Sequence, residues 1–170
     1  NQWPIKADIG FPQWVLGMSS FSCVGDEVVG IFAQEGIWNL AVFQKNGSIQ
    51  IIDKPFIDLS GLCLNQNRLV AIASSAEIGE GIFEMDMLSK HWDHTPAAIF
   101  SLDPHQISRG ESFWFIGANE QNVHAWYYSP LKEHSLPPPL LVTSHSGPTG
   151  MARCGLDLEV QFWTSRGWAV

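Results

Sequence analysis

Seven short apolar runs, each closed by a turn signal, fill the chain up to residue 85, and this regular interruption constrains the fold more than any other feature. The runs cover residues 14–23, 28–33, 38–44, 48–52, 57–64, 68–73 and 81–85. Between them lie Val24-Gly25-Asp26-Glu27, Gln34-Glu35-Gly36, Lys45-Asn46-Gly47 and Asn65-Gln66-Asn67. Asn46-Gly47 is the strongest of these signals, because an Asn-Gly pair accepts the positive φ angles of a tight hairpin turn. Four antiparallel strands in about forty residues is the period of a propeller blade. That period predicts one nearly complete unit at about residues 13–53 and a second at about 56–100. On strand spacing alone, a β-sandwich fits this half almost as well.

From about His105 the organisation changes. Residues 111–116 and 123–128 read as a hairpin around Gly117-Ala118-Asn119-Glu120-Gln121-Asn122, followed by a Pro-punctuated connection over 130–139. Leu140-Leu141-Val142 then has the near-continuous hydrophobicity of a strand covered on both faces. It runs into the small-residue turn Ser144-His145-Ser146-Gly147-Pro148-Thr149-Gly150. Leu156, Val160 and Trp163 recur at helical spacing, with Gly167 as the stop, and Trp168-Ala169-Val170 starts another strand. The sequence stops inside that pattern and reads as a piece of a longer enzyme.

These last segments carry a resemblance. His145-Ser146-Gly147-Pro148 and Trp163-Thr164-Ser165-Arg166-Gly167-Trp168-Ala169-Val170 resemble the start of the catalytic domain in the prolyl oligopeptidase family of serine peptidases. The likeness is greatest to its acylaminoacyl-peptidase and dipeptidyl-aminopeptidase-like branch. There a strand ends in His-Gly-Gly-Pro and the following helix closes on a Ser-Arg-Gly-(aromatic)-Ala-Val phrase; Ser146 stands here for the first glycine. Upstream, Val123-His124-Ala125-Trp126-Tyr127-Tyr128-Ser129-Pro130 is similar to the strand that opens that domain. Phe11-Pro12-Gln13-Trp14-Val15-Leu16-Gly17-Met18-Ser19 is similar to a propeller segment of the bacterial enzymes.

The resemblance implies a mixed fold: antiparallel all-β propeller blades over residues 1–104, then the N-terminal part of an α/β-hydrolase domain over 105–170. It implies a serine exopeptidase or oligopeptidase acting on short peptides or acyl-aminoacyl peptides, with no cofactor and no metal. The Ser-Asp-His triad would follow Val170, so this chain by itself should be inactive. Within it, His145, Ser146, Gly147 and Pro148 form the expected oxyanion-hole loop, whose backbone N–H groups bind the charge developing on the scissile carbonyl oxygen. Two alternatives accompany this reading: an esterase-type α/β hydrolase using the same geometry, and a non-catalytic propeller interaction module.

Ser146 is not expected to be the nucleophile, since a nucleophile elbow needs Gly-x-Ser-x-Gly and the residues two before and two after it are Ser144 and Pro148. His145 is read as shaping the loop. His91-Trp92-Asp93-His94 gathers three metal-ligand side chains, but without an HExxH or Cys/His framework it reads as a solvated turn between strands. Glu77, Glu80, Glu84 and Asp86 lack EF-hand spacing and decorate hairpin turns. Arg109 and Arg153 are able to bind a substrate carboxylate, and nothing in the sequence assigns either to a site.

Composition excludes other classes. A chain of 170 residues with 45% hydrophobic and 15% charged residues is core-rich and not disordered. Eight Trp and ten Phe against two Tyr suit many short aromatic strands. A net charge of −8 with nine Lys and Arg argues against a nucleic-acid partner. No apolar stretch approaches the roughly 18 to 20 residues that span a bilayer. Cys23, Cys63 and Cys154 are too far apart for a CxxC motif, and their reading as structural thiols points to a reducing cytoplasm. Oligomeric state is not readable from these patterns.

Overall fold

The computed structural model describes residues 3–12, 14–132, 136–147 and 149–170. Two four-stranded antiparallel sheets, each in simple meander order, form the first part. One comprises β1 (Phe21–Val24), β2 (Glu27–Gln34), β3 (Ile37–Phe43) and β4 (Ile49–Ile52). The other comprises β5 (Asp58–Asn65), β6 (Arg68–Ser74), β7 (Gly81–Asp86) and β8 (Trp92–Pro96).

Strand periodicity explains how the sheets pack. Side chains alternate across a strand, so Val29, Ile31 and Ala33 of β2 join Trp38, Leu40 and Val42 of β3 in one core. The second sheet supplies Leu59, Leu62, Leu69, Ala71, Phe83 and Met85 to that same core. Phe32, Ala41 and Phe43 lie in a separate apolar cluster covered by Trp3, Ile5 and Ala7. Strand β2 is therefore buried on both faces, as its run Val28-Val29-Gly30-Ile31-Phe32-Ala33 requires. Phe56, fully buried, packs its ring 5.1 Å from that of Phe83. Truncating either aromatic to Ala would remove about 3–5 kcal/mol.

Three local expectations are corrected. Of the expected 14–23 strand only residues 21–23 lie in β1, which runs on to Val24, and Gly17 turns the chain with φ 80° ahead of it. Residues 92–96 form the fourth strand of the second sheet where a turn was expected. Asn46-Gly47 makes a wider turn than expected: Gly47 takes φ 90°, while Asn46 accepts a hydrogen bond from Ser48 N at 2.9 Å through its side chain. The two-residue hairpin turn with positive φ at both positions is Glu35-Gly36.

The remainder is organised differently. A two-stranded antiparallel sheet joins β9 (Gly110–Ile116) to β10 (Asn122–Tyr128) through a short 3₁₀ turn, Ala118–Glu120. Residues 169–170 lie beside the end of β10: Tyr128 N donates to Val170 O at 2.9 Å and Val170 N to Tyr128 O at 3.1 Å. On their other side Ala169 pairs in parallel with Leu140, donating to Pro139 O and accepting from Leu141 N, both at 2.9 Å. The expected strand over residues 140–144 is thus a single parallel bridge at Leu140.

Between the two paired segments lies α1 (Leu158–Thr164), shorter than the apolar stripe suggested. Asp157 caps it by accepting from Glu159 N at 2.8 Å. It ends where Gly167, at φ 90°, lets Trp168 N reach back to Trp163 O at 3.2 Å, with Trp168 and Trp163 packed edge to face. Its most buried residues are Gln161 and Thr164, not the predicted Leu156, Val160 and Trp163. Polar side chains are tolerated there because both are hydrogen-bonded.

Candidate functional site

Residues 142–147 leave the parallel bridge as an exposed loop. Gly147 has φ 79°, a conformation open to glycine at little strain, whereas Ser146 is not among the positive-φ residues. The position that demands glycine is therefore the one where glycine stands. No backbone hydrogen bond among the described residues uses the N–H of Ser146 or Gly147. These are the kind of donors an oxyanion would take. The His145 ring packs against Gly150, where an added Cβ would meet Nδ1 at 3.1 Å, and its Nδ1 lies 3.4 Å from Ser146 O. This contact fits a loop-shaping histidine. Pro148 lies outside the described residues.

Trp14 flanks the loop. An added Cβ on Gly147 would stand 3.3 Å from Trp14 Cζ2. Sequence reasoning singled out this tryptophan's segment for its resemblance but not its position. The signal for a role lay in an aromatic residue within a short, Gly-containing apolar turn.

The other candidates separate. Arg153 is engaged by Asp58 in an ion pair and sits 5.5 Å from the Trp38 ring and 5.9 Å from that of Phe11. Burial pushes the Asp58 carboxyl above its ordinary range, and the Arg153 charge opposes that shift. Arg109 pairs with Glu77. Asp58, Ser74, Glu80, Arg153 and Asp157 together line a shallow cleft.

Strand β8 divides the His91–His94 group. His94 packs 5.0 Å from the Phe56 ring with Nε2 3.3 Å from Ala73 O, while exposed His91 and Asp93 pair at 3.6 Å. No group of three acidic, His or Cys side chains among the described residues is arranged to hold a metal. Cys154 is buried, and its thiol is pushed up to about 11, first by that burial and then by the Asp58 charge. Such a thiol is a poor nucleophile at neutral pH. No helix of the described residues is long and apolar enough to cross a membrane.

No family model matches the sequence, and no curated protein does. Solved structures do match. A puromycin-hydrolyzing peptidase of Mycobacterium tuberculosis superposes with a TM-score of 0.90 at 22% identity, over 99% of this chain and 27% of that one. A puromycin hydrolase matches with a TM-score of 0.86 over the same shares, also at 22% identity, in a mutant complexed with PGG. The Pyrococcus horikoshii acylaminoacyl peptidase gives a TM-score of 0.61 at 19% identity, over 89% of this chain and 24% of that one. The chain thus spans about a quarter of the length of the structures it matches. The antiparallel sheets, the hairpin and the helix together have the fold of the corresponding part of prolyl oligopeptidase-family serine peptidases.

Proposed function

We propose that this chain is part of a serine peptidase of the prolyl oligopeptidase family. The two four-stranded sheets, within residues 1–104, would be propeller blades, and residues 105–170 the opening of an α/β-hydrolase domain. The observation that carries the reading is Ala169, which pairs in parallel with Leu140 on one side while its neighbour Val170 pairs with β10 on the other. A parallel pair needs a crossover, and here the crossover holds the loop and α1. In open α/β sheets the crevice beyond the carboxyl ends of parallel strands is where ligands bind. The loop leaving Leu140 lies at such an end. The N–H groups of Ser146 and Gly147, which no backbone hydrogen bond among the described residues uses, would supply one half of an oxyanion hole, with His145 shaping the turn.

The substrates would be short peptides or acyl-aminoacyl peptides, and the nucleophile, acid and base would come from sequence beyond Val170. The test uses the full-length parent. A fluorophosphonate probe should label one serine outside this chain and abolish hydrolysis of acyl-amino-acid anilides. Absence of both labelling and hydrolysis would overturn the reading. Cleavage of esters but not anilides would favour an esterase. A folded parent without a triad would favour a propeller interaction module.

A further inference from the structure

The loop over residues 142–147 is held on its two sides by different parts of the fold. Ahead of it, Leu140 and Leu141 are tied to Ala169. Behind it, residues 151–156 run across the two four-stranded sheets. Met151 packs on their shared core. Arg153 pairs with Asp58 at the start of β5 and lies over the Trp38 ring of β3. Buried Cys154 reaches Gly36 O with its Sγ at 3.9 Å. Gly155 sits so close to Ser74 that a Cβ there would overlap Oγ, and Leu156 N donates to Ser75 O at 2.7 Å.

We infer that Asp58 is a positioning residue of the proposed acyl-transfer site: through Arg153 it fixes the far end of the loop, and so the place of the Ser146 and Gly147 N–H groups. The inference rests on the oxyanion reading of that loop and goes beyond it, because it makes a residue of the second four-stranded sheet answer for the chemical step. Among the described residues no backbone hydrogen bond involves residues 142–147, so the loop takes its shape from its two anchors. The His145 ring, packed on Gly150, carries the position of the second anchor into the loop. Asp58 suits the task because it is buried at 8% exposure and its carboxylate cannot release Arg153 without leaving an unpaired charge inside the fold. The guanidinium is held by charge, hydrogen bonding and ring contact together, which selects one geometry.

The test uses the full-length parent and reads the chemical step apart from binding. In Asp58→Asn, kcat for an acyl-amino-acid anilide should fall about tenfold through misplaced donors, while KM stays within about threefold. Affinity for a peptide aldehyde, whose adduct carries the oxyanion, should fall by the same factor. Arg153→Gln should match Asp58→Asn, and the double variant should be no worse than either, because one link is lost in all three. Arg153→Lys should restore part of kcat. Gly155→Ala tests the same anchor without a change of charge: it should lower kcat in the same way, and Ser74→Gly added to it should restore the rate. Unchanged kcat in folded Asp58→Asn, a loss confined to KM, or additive losses in the double variant would each overturn the inference. If Asp58→Asn does not fold, the Gly155→Ala enzyme decides, and normal kcat there overturns the inference. A parent that carries the probe label and cleaves anilides while these variants keep kcat overturns the positioning role only. One that neither labels nor cleaves overturns the peptidase reading, and this inference with it.

Discussion

The side-chain amide of Gln161 completes the backbone of Ser108: Ser108 N donates to Gln161 Oε1 at 2.8 Å, and Gln161 Nε2 donates to Ser108 O at 2.9 Å. Both residues are buried, and the pair fixes α1 to the segment entering β9. Gln161→Leu keeps volume but strands both backbone groups. Each buried unsatisfied group costs about 1–3 kcal/mol, so a loss of about 2–4 kcal/mol is expected in urea unfolding of this chain. Gln161→Glu should also destabilise, because a carboxylate cannot donate to Ser108 O. A Leu variant as stable as the parent sequence would show that water replaces the amide.

Lys54 makes stability depend on alkaline pH. Its Nζ donates to Trp38 O at 2.8 Å and to Phe56 O, and burial lowers its pKa to about 8 from 10.5. Above about 8 the folded chain sheds this proton while the unfolded chain keeps it up to 10.5. The unfolded state then binds more protons, so Lys54 adds stability as pH rises through that window. Relative to Lys54→Met, the wild-type chain should gain at most about 3 kcal/mol between the two limits. Cys154 titrates with the opposite sign in both proteins and cancels in the difference. A flat difference across denaturant melts at several pH values would contradict the expectation.

The Arg153–Asp58 ion pair links the second sheet to the segment before α1. Arg153→Met would leave a largely buried carboxylate unpaired, at about 1–3 kcal/mol after allowance for the partial exposure of Arg153. Loss of the guanidinium raises the folded-state pKa of Asp58 further. The penalty should therefore be largest at neutral pH and shrink as acid protonates the carboxyl. Thermal melts of the variant at pH 7 and near pH 4 measure this directly. A penalty of the same size at both pH values would place the effect in Arg153's packing against Phe11 and Trp38 instead.

Two changes in the loop should separate backbone geometry from side-chain identity in the full-length parent. Ser146 lies outside the positive-φ region, so Ser146→Gly should leave kcat within a small factor or raise it. Gly147→Val opposes φ 79° and meets Trp14. It should lower kcat by about two orders of magnitude, the loss of roughly 3 kcal/mol that follows removal of one oxyanion donor. KM should change far less. Normal kcat in Gly147→Val would mean the loop only connects two strands.

Most strands and turns were legible because they are local: alternation, the Asn-Gly and Glu-Gly dipeptides, and Gly167 act over a few residues. The fourth strand of the second sheet escaped because Trp92-Asp93-His94 carries polar groups on a strand whose pairing with β7, not its composition, defines it. The helix was legible in position but not in its buried face. Gln161 is admitted to the interior only by Ser108, far away in sequence.

The candidate site divides in the same way. Sequence alone determined that His145, Ser146 and Gly147 follow an apolar run and precede a helix, since that order is written in consecutive residues; that the run pairs only at Leu140 was not written there. Tertiary structure decided that Gly147, not Ser146, takes the positive φ, that Arg153 is engaged by Asp58, and that Trp14 stands beside the loop. The cause is physical: packing energy between remote segments depends on shape and burial in three dimensions, and no local period encodes it.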